Sequence, residues 1–157
     1  MEKTLELSIE RMIDAPPEVV WRIWFDRIPD WFCPKPWRAE VVEHDVRPGG
    51  RAAVMMRGPD GEEMLNDGVF LEIVPHRRIV ATDAFTPGWV PHGPFMVGWW
   101  EFDPENGGKT RYRAGARHWT AEARKQHEDM GFKDGWMAAA NQLAELAEAE
   151  AREARHG

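Results

Sequence analysis

Apolar and polar residues alternate from residue 4 to 13, with Leu5, Leu7 and Ile9 on one face and Glu6, Ser8 and Glu10 on the other. A period of two marks a strand with one buried side. Arg11 shares the parity of the apolar set. A guanidinium on a buried face needs a carboxylate or several carbonyls, and the sequence does not say which. The period then changes. Asp14-Ala-Pro-Pro-Glu18 opens a helix, with proline in the first turn and Glu18 set against the helix dipole. Val20, Ile23 and Trp24 follow at helical spacing. Pro29 and the Pro34/Pro36 pair keep the helical region to two short pieces, and Trp31, Phe32 and Trp37 crowd the connection beyond.

From residue 38 to 118 the signals are strands and turns. Strands are expected over 39–46, 51–57, 63–74, 78–85, 95–102 and 110–118. They are punctuated by Pro48-Gly49-Gly50, Gly58-Pro-Asp-Gly61, Pro75-His76 and Asp103-Pro-Glu-Asn-Gly-Gly108. Consecutive strands joined by short turns make an antiparallel meander. The connection Thr86-Pro-Gly-Trp-Val-Pro-His-Gly-Pro94 is longer than a turn. It is either a partial lid in which Trp89 covers a cavity mouth, or a surface loop that Trp89 pins to its own domain.

Thr120 caps a helix that carries Glu122 in its first turn and meets a break at Gly131. Beyond it Phe132, Trp136, Ala139, Leu143 and Leu146 recur at steps of four, three, four and three, forming one apolar stripe. Glu148 and Arg152 are expected as an i, i+4 pair on the outer surface. A helix over 132–153 would reach roughly 33 Å, enough to cross a sheet. With no internal repeat or low-complexity linker, the expectation is a single α+β domain over 1–157, with a core from about 3 to 150.

Composition narrows the function classes. The net charge is −7 and no block of Lys and Arg stands out, which argues against nucleic acid and anionic membranes as partners. Charges interrupt every apolar run at the N-terminus, and no run approaches the roughly 18 residues of a membrane helix. Cys33 is the only cysteine, so no intrachain disulfide can form, and a cytoplasmic location is expected. Nine tryptophans stand against one tyrosine. Either some of them face a cavity, a loop cover or another subunit, or they fill an aromatic-rich core.

Candidate chemistry is sparse. His118 and His127 are nine residues apart and belong to no recognised ligand motif, so no metal is expected. Cys33 has no activating neighbour in sequence and reads as an inert thiol. The glycine-rich turns suit hairpins rather than phosphate loops. Met96, Trp100 and Phe102 share one parity, and with Tyr112 and Trp136 they would make an apolar wall. Asp83 and Phe85 near the end of one strand, and Phe132 and Leu143 on the helical stripe, are further cavity candidates. His118 shares the inward parity of Tyr112, Ala114 and Ala116. It would hydrogen-bond a ligand, act as a general base, or brace the start of the C-terminal helix. Asp83 and Arg11 would point into the cavity or join a structural ion pair.

The order strand, two short helices, six antiparallel strands and long helix resembles the helix-grip fold of the START and Bet v 1-like (SRPBCC) superfamily. Val46-Arg-Pro-Gly-Gly50, Gly68-Val-Phe-Leu-Glu-Ile-Val-Pro75 with Arg78-Ile-Val80, Ala114-Gly-Ala-Arg-His-Trp-Thr120, Met130-Gly-Phe-Lys-Asp-Gly-Trp136 and Gln142-Leu-Ala-Glu-Leu146 are similar to the bacterial Hsp90 ATPase activator homologue-like family. The resemblance implies a curved sheet of six to seven strands around a long C-terminal helix, with a hydrophobic cavity between them. Members of the superfamily bind lipids, sterols, polyketides or plant hormones, and a few catalyse cyclisation or aromatisation. The leading expectation is a binding protein for a hydrophobic or aromatic molecule, without cofactor and without an assigned catalytic residue. The alternatives are a cyclase or aromatase-like enzyme using His118, Asp83 or Tyr112, and a chaperone cofactor. In the eukaryotic activators this domain follows a separate N-terminal domain for which 157 residues leave no room. The Ala- and Glu-rich tail leaves a homodimer open.

Overall fold

The computed structural model describes residues 5–156. Residue 4, in the first expected strand, lies outside them. The chain opens with β1 (Glu6–Ile13), then α1 (Pro17–Asp26) and the one-turn α2 (Ile28–Trp31). Four strands follow, β2 (Arg38–His44), β3 (Arg51–Arg57), β4 (Glu63–Val74) and β5 (Arg78–Thr82). A short hairpin, β6 (Phe85–Thr86) and β7 (Val90–Pro91), precedes β8 (Val97–Glu105) and β9 (Lys109–Arg117). The chain closes with α3 (Ala121–Asp129) and α4 (Phe132–His156).

Seven strands form one antiparallel sheet in the order β1-β9-β8-β5-β4-β3-β2, so the first strand pairs with the last and the meander fills the rest. Leu7, Ile9, Phe70, Ile79, Trp100, Phe102, Tyr112 and Ala114 all face the core, as period-two alternation requires. The opposite face carries cross-strand ion pairs, among them Arg51–Asp67, Arg78–Glu101 and Arg113–Asp103. This face accounts for much of the 30% charged residues, though each exposed pair adds at most about 1 kcal/mol. With the long helix on the other face, this is the helix-grip fold.

The strand expected over 39–46 ends at His44 and the one expected over 95–102 begins at Val97, and two further boundaries differ for identifiable reasons. The strand expected over 78–85 stops at Thr82, whose hydroxyl donates to the Met96 carbonyl (2.9 Å) and accepts from the Ala84 N–H (3.1 Å). The chain turns away there, and Phe85 and Thr86 pair instead with Pro91 and Val90. The strand expected over 95–102 runs on to Glu105, through Pro104. Its pairing with β5 ends at Glu101 while that with β9 continues, so the proline nitrogen disrupts no ladder.

α4 is 25 residues long, about 37 Å at 1.5 Å per residue. The break before it falls at Gly131, whose φ of 91° lies in the left-handed region that favours glycine. The Thr120 hydroxyl caps α3 by accepting the Ala123 N–H at 3.0 Å. The buried face of α4 is broader than the expected stripe. Ala140, Ala144, Ala147 and Ala151 are buried beside Phe132, Ala139 and Leu143, while Trp136 and Leu146 are half-buried. The helix lies against β1, α1 and α2, and small side chains permit a close approach there.

Two assignments on this helix change. Arg11 finds its partners on α4, with Nε donating to Asn141 Oδ1 at 2.7 Å and Nη1 lying 3.7 Å from Glu148 Oε2. Glu148 therefore does not pair with Arg152 on the outer surface. It also accepts the Asp14 N–H at 2.9 Å, tying the end of β1 to the helix. Leu143 is 0% exposed and packs in the core beneath α4. Leu143→Ala is expected to lower unfolding free energy by about 2–5 kcal/mol, read from the shift in denaturant midpoint at unchanged m-value.

Candidate functional site

α4 covers one end of the sheet and leaves space beside its first turns. That space is a cavity of about 410 Å³. Its floor is the inner face of β8 and β9, where Trp100, Tyr112 and Ala114 project. Gly135, Trp136 and Ala139 of α4 form one wall, and Phe32, Cys33 and Pro34 another. The β3–β4 hairpin contributes Met56, Met64, Leu65 and Asn66. The rim is apolar and open, with Met64, Leu65 and Met130 at 48%, 47% and 60% exposure. A side chamber of about 50 Å³ reaches toward Trp24 and His44 and shares Asp83, Met96 and Trp100 with the main cavity.

Trp136 lines this space, stacked on Phe132 (centroids 4.5 Å) and also on Trp100 of the sheet (5.9 Å, 5°). Other tryptophans do fill the core. Trp24 packs on Trp31 and Trp100, and the Trp31 indole donates to the Trp24 carbonyl at 3.0 Å.

The wall at 31–35 is held by a residue that sequence reasoning passed over. Gln142 Nε2 donates to the carbonyls of Trp31 (3.0 Å) and Cys33 (2.8 Å), and its Oε1 accepts the Lys35 N–H at 3.1 Å. One side chain thus satisfies three backbone groups where the chain leaves α2 and has no sheet to join. The pattern hides this role, because a glutamine on a long helix looks like any exposed polar residue.

Few polar groups reach the cavity. Asp83 lines it, but its Oδ1 accepts the N–H groups of Phe95 (2.7 Å) and Met96 (3.2 Å), fixing the entry to β8. Burial pushes the Tyr112 hydroxyl well above the usual tyrosine range. Burial pushes the Cys33 thiol up to about 11 and so disfavours the thiolate. Burial likewise lowers the pKa of His44.

His118 and His127 are joined, Nε2 to Nδ1, at 2.9 Å. His127 faces the cavity, ringed by Phe95, Phe132 and Trp136, while His118 sits behind it and bonds to the Leu5 carbonyl. His127 has its pKa lowered to about 4, first by burial and then by the neighbouring His118. Among the described residues no group of three or more His, Cys, Asp or Glu side chains is placed to hold a metal.

Of the residues singled out by sequence, Asp83, Met96, Trp100, Tyr112, Phe132 and Trp136 are brought together around the cavity. Phe102 lies on the same sheet face but packs on Trp21 and Tyr112, away from the lining. Leu143 is core, and His118 stands one residue behind the wall. Phe85 and Trp89 pack on each other (5.8 Å), with the Trp89 ring against Gly49. Trp89 is thus placed at the β2–β3 turn, 56% exposed, and the mouth is bordered by Met64, Leu65 and Met130. The place of His127 in the cavity wall and the approach of the β3–β4 side chains were not legible in the sequence, because both depend on tertiary pairing.

The model of a family described as Activator of Hsp90 ATPase homolog 1-like protein matches residues 14–148. A crystallographic structure of a Nitrosomonas europaea protein is 37% identical, over 96% of this chain and 98% of that one, with a TM-score of 0.89. A Mycobacterium smegmatis protein is 30% identical over 93% and 92%, with a TM-score of 0.76. A Silicibacter pomeroyi protein named for the same family is 18% identical over 92% and 99%, TM-score 0.67, and speaks to the fold alone. No curated protein matches the sequence. No helix among the described residues is long and apolar enough to cross a membrane.

Gln142→Ala is expected to cost about 1–3 kcal/mol, because it strips three backbone groups of their partner. Amide hydrogen exchange at Lys35 should speed up with it. His127 supplies a pH dependence. Its folded pKa is below its ordinary value of about 6.5, so the unfolded chain takes up the proton first. Stability from this group is full above pH 6.5 and is lost as pH falls toward 4. Urea midpoints from pH 7 to 4.5 should fall less steeply in His127→Phe than in the wild type.

Proposed function

This chain belongs to the Activator of Hsp90 ATPase homolog 1-like family, and we propose that it is a binding protein for a small, mostly apolar aromatic molecule held between the sheet and α4. The observation that carries this reading is the cavity of about 410 Å³. It lies within the roughly 300–1,000 Å³ typical of small-molecule sites and is several times larger than the side chamber beside it. An interior with no ligand to hold would be expected to close around such a void, since empty volume forfeits dispersion contacts. The stacked rings of Trp100 and Trp136 give the cavity an aromatic wall against which a second aromatic system can pack.

The same wall favours binding over turnover. Asp83 Oδ1 is held by two backbone N–H groups, and burial keeps both Tyr112 and Cys33 protonated. Such a lining can orient a molecule, but it offers no activated nucleophile.

N-phenyl-1-naphthylamine, a neutral aromatic dye, should brighten on mixing with the protein and raise its melting temperature. Gly135 supports a clean control. A Cβ placed there meets only the Pro34 ring, at 3.8 Å, so small side chains fit and larger ones grow into the cavity. Gly135→Leu is expected to fold and to weaken dye binding at least tenfold. Absence of both dye fluorescence and a thermal shift in the wild type would reject the binding reading.

A further inference from the structure

The two buried histidines form a hydrogen-bonded chain whose direction can be worked out atom by atom. The Leu5 carbonyl lies 2.9 Å from His118 Nδ1 and also accepts the His118 main-chain N–H at 2.9 Å. A carbonyl has no hydrogen to give, so Nδ1 carries the proton. Neutral His118 then offers only a lone pair at Nε2. His127 Nδ1, 2.9 Å away, must be the N–H that fills it. Neutral His127 is left with its own lone pair at Nε2.

That lone pair has no donor among the described residues. Nor is it one of the polar atoms sealed off without a partner, which are Trp24 Nε1, Arg111 Nε and Arg113 Nε. Its ring forms part of the cavity wall, with Phe95, Phe132 and Trp136 centroids at 4.8, 5.0 and 6.1 Å. An acceptor held in one tautomer by a partner behind it, and surrounded by aromatic faces, is built to receive a hydrogen from whatever occupies the cavity.

We infer that His127 Nε2 is the polar anchor of the site and that the ligand is of the phenol class, a planar aromatic molecule whose hydroxyl donates to His127. This rests on the binding reading above and adds the chemistry of the ligand to it. His118 is a positioning residue that fixes the tautomer of His127. The same geometry selects against carboxylates. A carboxylate can only accept, and it would meet a lone pair at His127 and the Asp83 carboxyl along the wall, with no Lys or Arg in the lining and only neutral donors such as the Asn66 amide. Free fatty acids and aromatic acids are therefore disfavoured relative to phenols.

Three probes of one shape separate these claims by isothermal calorimetry at pH 7.5, namely 2-naphthol, 2-methoxynaphthalene and 2-naphthoate. The wild type should bind 2-naphthol about tenfold more tightly than the methyl ether, as expected for one hydrogen bond in a desolvated site. 2-Naphthoate should bind more weakly than either. His127→Phe should bring the naphthol and the ether within about twofold by weakening only the naphthol. His118→Phe should shrink the same ratio with the ether unaffected, which a loss of general stability would not do. The ¹⁵N resonance of His127 Nε2 in the wild-type protein should shift with 2-naphthol and not with the ether, so the claim stands or falls even where a variant misfolds. Equal affinity for naphthol and ether in the wild type would overturn the anchor and leave the binding reading intact. Tight binding of 2-naphthoate would overturn the predicted selectivity. Failure of all three probes to bind would overturn the binding reading together with the anchor.

Discussion

The long helix is unevenly built, and the rest of the structure depends on that. Its later turns bury Ala140, Ala144, Ala147 and Ala151, which fit closely against α1 and β1. Its first turns carry Phe132 and Trp136. A helix docked by small residues at one end and bulky rings at the other cannot lie flush on a sheet along its whole length. The gap falls where the aromatic residues stand, and it is the cavity. Arg11, Asn141 and Glu148 fix the helix at the alanine end, and Gln142 brings the 31–35 segment in to close one side.

A pocket formed this way is apolar by default, so each polar atom that reaches it needs an explanation. Asp83 has one, since it ends two backbone N–H groups at the start of β8. His127 is only half satisfied, with His118 behind it and open space ahead. A buried imidazole with an unused lone pair is a standing cost to stability.

Much of the fold was legible in the sequence because it rests on local periodicity. The strand alternation, the turn residues and the stripe from Phe132 to Leu146 all follow from the spacing of apolar side chains, and the family resemblance fits the architecture and the family match. What was hidden depends on partners far apart in the chain. The Arg11 contacts are 130 and 137 residues away, and Gln142 holds carbonyls more than 100 residues earlier. Glu148 looked like half of an i, i+4 surface pair, and only the sheet's position turns it inward. The alanine face was overlooked because alanine reads as a neutral helix former, although here its small volume governs the docking. The site was half legible. Parity placed Trp100 and Tyr112 on the inner face, but it equally selected Phe102, which packs away from the lining. The closure of β1 onto β9 and the fold-back of α3 bring His127 against His118, and no spacing in the sequence encodes that.

The central claim is that α4 stands off the sheet at its aromatic end and encloses real, ligand-sized space. Crystals of the protein pressurised with xenon test this directly, because xenon enters apolar cavities without needing hydrogen bonds. The account predicts xenon density bounded by Trp100, Trp136, Met96 and Phe32, with those side chains in place. A crystal in which α4 and the 31–35 segment have closed onto the sheet, with no xenon between helix and sheet, would contradict it.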